Sequence, residues 1–212
     1  MIQFDRCIEK LDSHKVLNDN REASFNVVNT LIEQGYKKIA FLGGPEHLTV
    51  FKDRKNGYLK AIKRAGISIP YNFIVDNILL KDQAVEAAME LLSGKEIPDA
   101  FITVSDHQSL AVLQAANSLG IKVPQQLGIF GFANETFAEL IQPSLSSVDQ
   151  KSKEMGERAA NLYFKKILNR KDNNHTSFRQ EIIKSEIIIR DSSMREPARR
   201  KQRSLKRQKA RI

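Results

Sequence analysis

Apolar runs at residues 38–42, 73–75, 100–104 and 127–132 lack polar alternation, and segments of helical period separate them. Such runs predict parallel strands buried on both faces, because an exposed face would impose a period of two. The unit strand–helix therefore repeats about four times between Ile39 and Leu145, which predicts an α/β fold with a Rossmann-like parallel sheet flanked by helices. The helical segments stop at Gly35, Gly66, Gly94 and Gly120, where a left-handed residue would close each helix. Their apolar faces, such as Ala84, Val85, Ala88, Leu91 and Leu92 before Gly94, read as packing surfaces.

Polar residues sit where these strands end. Ser105 and Asp106 follow one run, and Asn134 and Glu135 follow the next. In open α/β sheets ligands bind outside the carboxyl ends of the strands, so this placement predicts a crevice. Arg54 opens the helix that continues as Asn56-Gly57-Tyr58; its fork of donors suits adjacent hydroxyls or a carboxylate, although a solvated arginine beside Lys52 and Lys55 fits the local sequence equally. Asp5-Arg6, after the short strand IQF, carries the same ambiguity.

Other chemistries fit poorly. Ser105, Asp106 and His107 are consecutive, so they cannot converge as nucleophile, base and orienter, and no G-x-S-x-G elbow exists. Asp106 is expected to cap the helix beginning at His107. Gly43-Gly44-Pro45 follows a strand without the remaining glycines or the Lys of a nucleotide loop. The four histidines lack ligand spacing, so neither a metal nor a cofactor is expected, and nothing specifies an enzyme. The lone Cys7 forms no internal disulfide and reads as a core thiol.

The formal charge of +9 is concentrated in residues 195–212, where nine Lys or Arg face one Glu; the remaining chain carries only +1. Residues 194–212 are therefore expected to be a solvated, disordered basic tail. No apolar run approaches the roughly 20 residues that span a bilayer, and the N-terminus has no apolar export signal. A cytoplasmic protein without membrane contact is expected.

Further along, LIEQGYKKIAFLGGP, the R-x-x-G-Y-x-x-A series of Arg54, Gly57, Tyr58 and Ala61, PDAFITVSDHQSLAVL, the run from Gly120 to Phe132, and PSLSSVDQ with MGERAA occur in order. Together they resemble the effector-binding region of LacI/GalR transcriptional regulators, over residues 4–193. The resemblance implies a periplasmic-binding-protein-like type I fold of two Rossmann-like lobes, a small effector, often a sugar, between them, and homodimerisation. By position it implies that Asp5, Arg54, Asp106 and Gln150 line the cleft, joined by Ser105 and Asn134 at the strand ends. Ser105 stands where the family commonly has Asn, and Ala133-Asn134 where it often has Asp-Asp; Ala133 cannot accept a hydrogen bond through its side chain.

The resulting expectation is a first-lobe remnant at 1–16, a nearly complete second lobe at 17–148, a crossover and first-lobe helix at 149–171, and C-terminal strands at 172–193. Within that helix, Met155, Ala159, Leu162, Tyr163 and Ile167 should face inward. With the first lobe truncated, Ile2, Phe4, Met155, Leu162 and Tyr163 are expected to stay partly exposed and sensing to be poor. The function implied is sensing of a small-molecule effector, a sugar, for transcriptional control, with operator DNA bound only through a helix-turn-helix headpiece that is missing here. The alternative is a sugar-binding protein of a transport system, which the missing export signal disfavours.

Overall fold

A computed structural model describes residues 1–165 and 178–195. The chain builds two sheets. The smaller begins with β1 (Ile2–Phe4) and β2 (His14–Asn18), after which α1 (Asn20–Glu33) leads to the larger sheet. That sheet is assembled from β3 (Ile39–Leu42), α2 (Thr49–Arg64), β4 (Ile74–Val75), α3 (Lys81–Leu92), β5 (Ala100–Thr103), α4 (Asp106–Ser118), β6 (Gly128–Phe132) and β7 (Ser146–Asp149). α5 (Ser152–Tyr163) follows, then β8 (Gln180–Ile183) in the smaller sheet and β9 (Glu186–Ile188) in the larger. The strand orders are β1-β2-β8 and β4-β3-β5-β6-β7-β9, parallel throughout except where β9 runs antiparallel to β7.

Alternate residues of the larger sheet feed two cores, which is why its strands show no polar alternation. Ala40, Leu42, Phe101 and Ile129 pack with α3 and α4. Ile39, Phe41, Ile102, Phe130 and Phe132 pack with α1 and α2 on the opposite face. Two glycines in the sequence motifs set close approaches rather than turns. A Cβ on Gly57 would lie 2.2 Å from the Arg21 carbonyl, so Gly57 permits the α1–α2 crossing; a Cβ on Gly131 would lie 2.2 Å from the Asp106 carboxylate.

Several expectations are corrected. Gly35, Gly66 and Gly120 adopt positive φ, but Gly94 does not: α3 ends through Ser93 in right-handed geometry. Ser105, not Asp106, caps α4, accepting from the Gln108 amide at 3.3 Å. The segment SLSSV contains a full strand, β7, rather than only a crossing, because Ser146 and Ser147 satisfy their hydroxyls internally and can be buried. The isoleucine-rich run 181–189 forms two strands in different sheets, divided at Lys184-Ser185.

Met155 and Leu162 are buried against Val16 and Ile183, whereas Phe4 and Tyr163 are exposed, so exposure of that set is only partial and Tyr163 does not face inward. Arg195, assigned by charge to the tail, docks on the fold: its amide donates to Gln34 Oε1 at 3.1 Å, and its guanidinium lies 5.0 Å above the Tyr36 ring. Ile167, and the rest of the tail from 196 onward, lie outside the described residues. Among the described residues no helix is long and apolar enough to cross a membrane.

Candidate functional site

Three chain passes connect the sheets, and hydrogen bonds tie them side by side. Asn18 Nδ2 donates to the Gln150 carbonyl at 2.7 Å, and the Asp19 amide donates to the Ile183 carbonyl at 3.2 Å. The Ser185 amide donates to Asp19 Oδ1 at 2.9 Å. Beside these passes, between the carboxyl ends of β6 and β7 and the first residues of α5, lies a cleft of about 490 Å³. Asp5, Asn18, Asn134, Glu135, Thr136, Gln150 and Ser152 supply its polar lining. A second cavity of about 260 Å³ shares Asp5 and Asn18 and adds Asn20, Thr49, Asp53 and Lys15 among others.

The six residues singled out from sequence therefore divide. Asp5, Asn134 and Gln150 line the cleft, although two of them are already engaged: Asn134 Oδ1 accepts from Arg190 at 2.8 Å, and the Gln150 backbone holds Asn18. Asn134 also sits at φ 54° and Ala133 at φ 110°, two successive left-handed residues that turn the chain out of β6.

Arg54 lies one layer behind. It is 3% exposed; Nε donates to Asn20 Oδ1 at 2.9 Å, Nη1 donates to the Val104 carbonyl at 2.6 Å, and the guanidinium stacks 4.2 Å from the Phe132 ring centroid. Burial pushes its pKa down to about 9, while Asp5 and Asp106 favour the charged form. Arg54 thus ties together the ends of α1, β5 and β6 and is not among the residues lining the cleft.

Asp106 and Ser105 likewise are not among the residues lining the cleft. Asp106 is completely buried; Oδ1 accepts from Ser147 Oγ at 2.7 Å and Oδ2 from the Glu135 amide at 2.8 Å. Desolvation raises its pKa to about 6, against those two donors. Its carboxylate positions the turn that carries Asn134 and Glu135, since Ser147 Oγ in turn accepts from the Asn134 amide at 3.0 Å. Ser105 spends its hydroxyl on the α4 cap.

Asn18 was not singled out, although it ends a strand, β2, much as Ser105 and Asn134 follow β5 and β6. It is 6% exposed, and its Oδ1 is the buried side-chain polar atom left without a hydrogen-bond partner among the described residues. No group of three or more metal-ligating side chains forms among the described residues.

With this geometry in place, comparison with known proteins is specific. Residues 28–193 match the periplasmic binding protein-like domain. The chain is 31% identical over 193 residues to the HTH-type transcriptional repressor CytR of Escherichia coli, covering 91% of this chain and 55% of that protein. A LacI-family regulatory protein from Chloroflexus aggregans superposes with a TM-score of 0.82 at 26% identity, covering 90% of this chain and 67% of that one. The transcriptional regulator CelR in complex with cellobiose gives 0.81 at 26% identity, covering 90% and 58%.

The chain belongs to the periplasmic binding protein-like domain family. It spans about half the length of the curated relatives it matches. Those relatives are HTH-type transcriptional repressors.

Proposed function

We propose that this chain senses a small polar effector, of the sugar class, for a LacI-type transcriptional regulator, and that the effector occupies the cleft between the two sheets. The observation that carries this reading is the convergence of Asp5 and Asn18 from the smaller sheet with Asn134 and Gln150 from the larger. A ligand touching both would favour one relative arrangement of the sheets, and differential contact of that kind is what shifts a conformational equilibrium. The similarity to the regulator solved with cellobiose supports the ligand class. The division at 1–16, 17–148, 149–171 and 172–193, a cytoplasmic homodimer, and operator contact through a separate headpiece belong to the same proposal.

Calorimetry of the full chain against glucose, ribose and cellobiose tests it. We expect saturable binding to at least one sugar, weakened about tenfold by Gln150→Ala, the loss on removing one hydrogen-bonding partner. Absence of binding across the panel, or equal affinity in the variant, overturns the assignment.

A further inference from the structure

The cleft has a consistent electrostatic character. Its lining includes the carboxylates of Asp5 and Glu135 and no Lys or Arg. The adjoining cavity adds Glu9 and Asp53 against the single cation Lys15, whose ammonium is committed to the Glu9 carbonyl at 2.8 Å. Asp53 has its pKa raised first by desolvation and then by repulsion from Glu9, with Arg21 and Lys52 opposing the rise.

Three arginines lie near: Arg190 donates to Asn134 Oδ1 and to the Leu145 carbonyl, each at 2.8 Å, and is not itself among the lining residues. Arg54 is buried behind the wall and faces both Asp5 and Asp106. Arg6 approaches Asp5 only to 4.0 Å, with its side chain 61% exposed, where screening leaves little attraction.

Asn18 adds an independent observation of the same kind. Its amide orientation is fixed, because only Nδ2 can donate to the Gln150 carbonyl. Oδ1 is thereby left as a buried acceptor without a donor, an arrangement that carries a desolvation penalty unless a donor arrives.

Resting on the effector reading above, we infer that the cleft selects uncharged, donor-rich polyols and rejects their phosphate esters, with Asn18 as the specificity-determining acceptor at its base. An anionic ester would enter beside Asp5 and Glu135 with no Lys or Arg in the cleft's own lining, and like-charge juxtaposition is an effective means of excluding a competitor. A neutral hydroxyl presents the donor that Asn18 Oδ1 lacks.

The test is paired calorimetry on the full chain: glucose against glucose 6-phosphate and ribose against ribose 5-phosphate, with wild type, Asn18→Leu and Asp5→Asn. We expect the neutral member of a pair to bind at least tenfold more tightly than its ester. Asn18→Leu should weaken the neutral ligand about tenfold, and Asp5→Asn should narrow the gap between sugar and ester. An ester that binds as well as its sugar overturns this inference and leaves the effector reading standing. Failure of every sugar and every ester overturns both. If Asn18→Leu does not fold, the wild-type comparison and Asp5→Asn still decide.

Discussion

The six-stranded sheet has helices on both faces and two buried clusters, whereas the three-stranded sheet packs only α5 against one face among the described residues. Among the described residues, Val16, Met155, Leu162 and Ile183 form the buried cluster on the smaller side, and Ile182 on the opposite face of β8 is 46% exposed. The cleft therefore has one wall fixed by a close-packed core and buried polar clamps, and another whose position depends on few apolar contacts and on the three connecting passes. Local stability follows buried contact. The difference teaches that the thick wall can hold ligand groups in place while the thin wall is free to follow them.

Matched core truncations would break or sharpen this contrast most directly. Phe130→Ala, in the centre of the larger sheet, should cost about 3–5 kcal/mol and lower hydrogen-exchange protection throughout β3, β5 and β6. Leu162→Ala removes a comparable apolar contact from the thin cluster, where collapse is easier, and should cost about 2 kcal/mol, with lost protection confined to α5 and β2. If Leu162→Ala instead unfolds the six-stranded sheet in the same transition, the two walls are one cooperative unit and the contrast fails.

The second test uses proton linkage within the thick wall. The folded-state pKa of Asp106 is raised from 3.8 to about 6, so the fold favours its protonated form. Its contribution is fully present below the unfolded value and is lost as pH rises through about 6, the reverse of an ordinary ion-paired carboxylate. The ceiling on that loss is about 3 kcal/mol. Denaturation between pH 4 and 7 should show this component in wild type and lose it in Asp106→Asn. An unchanged pH profile in the variant would remove Asp106 as the titrating group.

Much of the larger sheet was legible because burial on both faces leaves a mark in sequence: apolar runs, helical period between them, and polar residues at the strand ends. The three cleft residues Asp5, Asn134 and Gln150 were found by those strand ends and by motif position. A sequence shows that Arg54 and Asp106 lie near a crevice but not which backbone groups engage them. Here Val104 and Glu135 do so. β7 escaped notice because its serines look like loop chemistry until Ser192, Ser193 and Arg190 are seen to satisfy Ser146. The break between β8 and β9 leaves almost no compositional trace, since Ile182, Ile183, Ile187 and Ile188 suit either sheet.

The smallest expected effect concerns the turn that brings Asn134 to the cleft. Ala133 holds φ 110°, a conformation that an L side chain adopts only under strain, while its amide is held by the Val148 carbonyl at 3.0 Å. Such strain costs on the order of 1–3 kcal/mol, and glycine would remove it. Glycine also widens the unfolded ensemble, which takes back about 0.4–1 kcal/mol. Ala133→Gly should therefore stabilise the chain by a net of about 1 kcal/mol, visible as a raised denaturation midpoint with an unchanged slope. Because the relief lies in the thick wall, it should leave exchange in α5 untouched and so widen the stability gap between the walls. A destabilised Ala133→Gly variant would mean that the methyl group contributes packing that outweighs its backbone strain, and the turn would then be held by side-chain contact rather than by the Asp106–Ser147 hydrogen bonds beneath it.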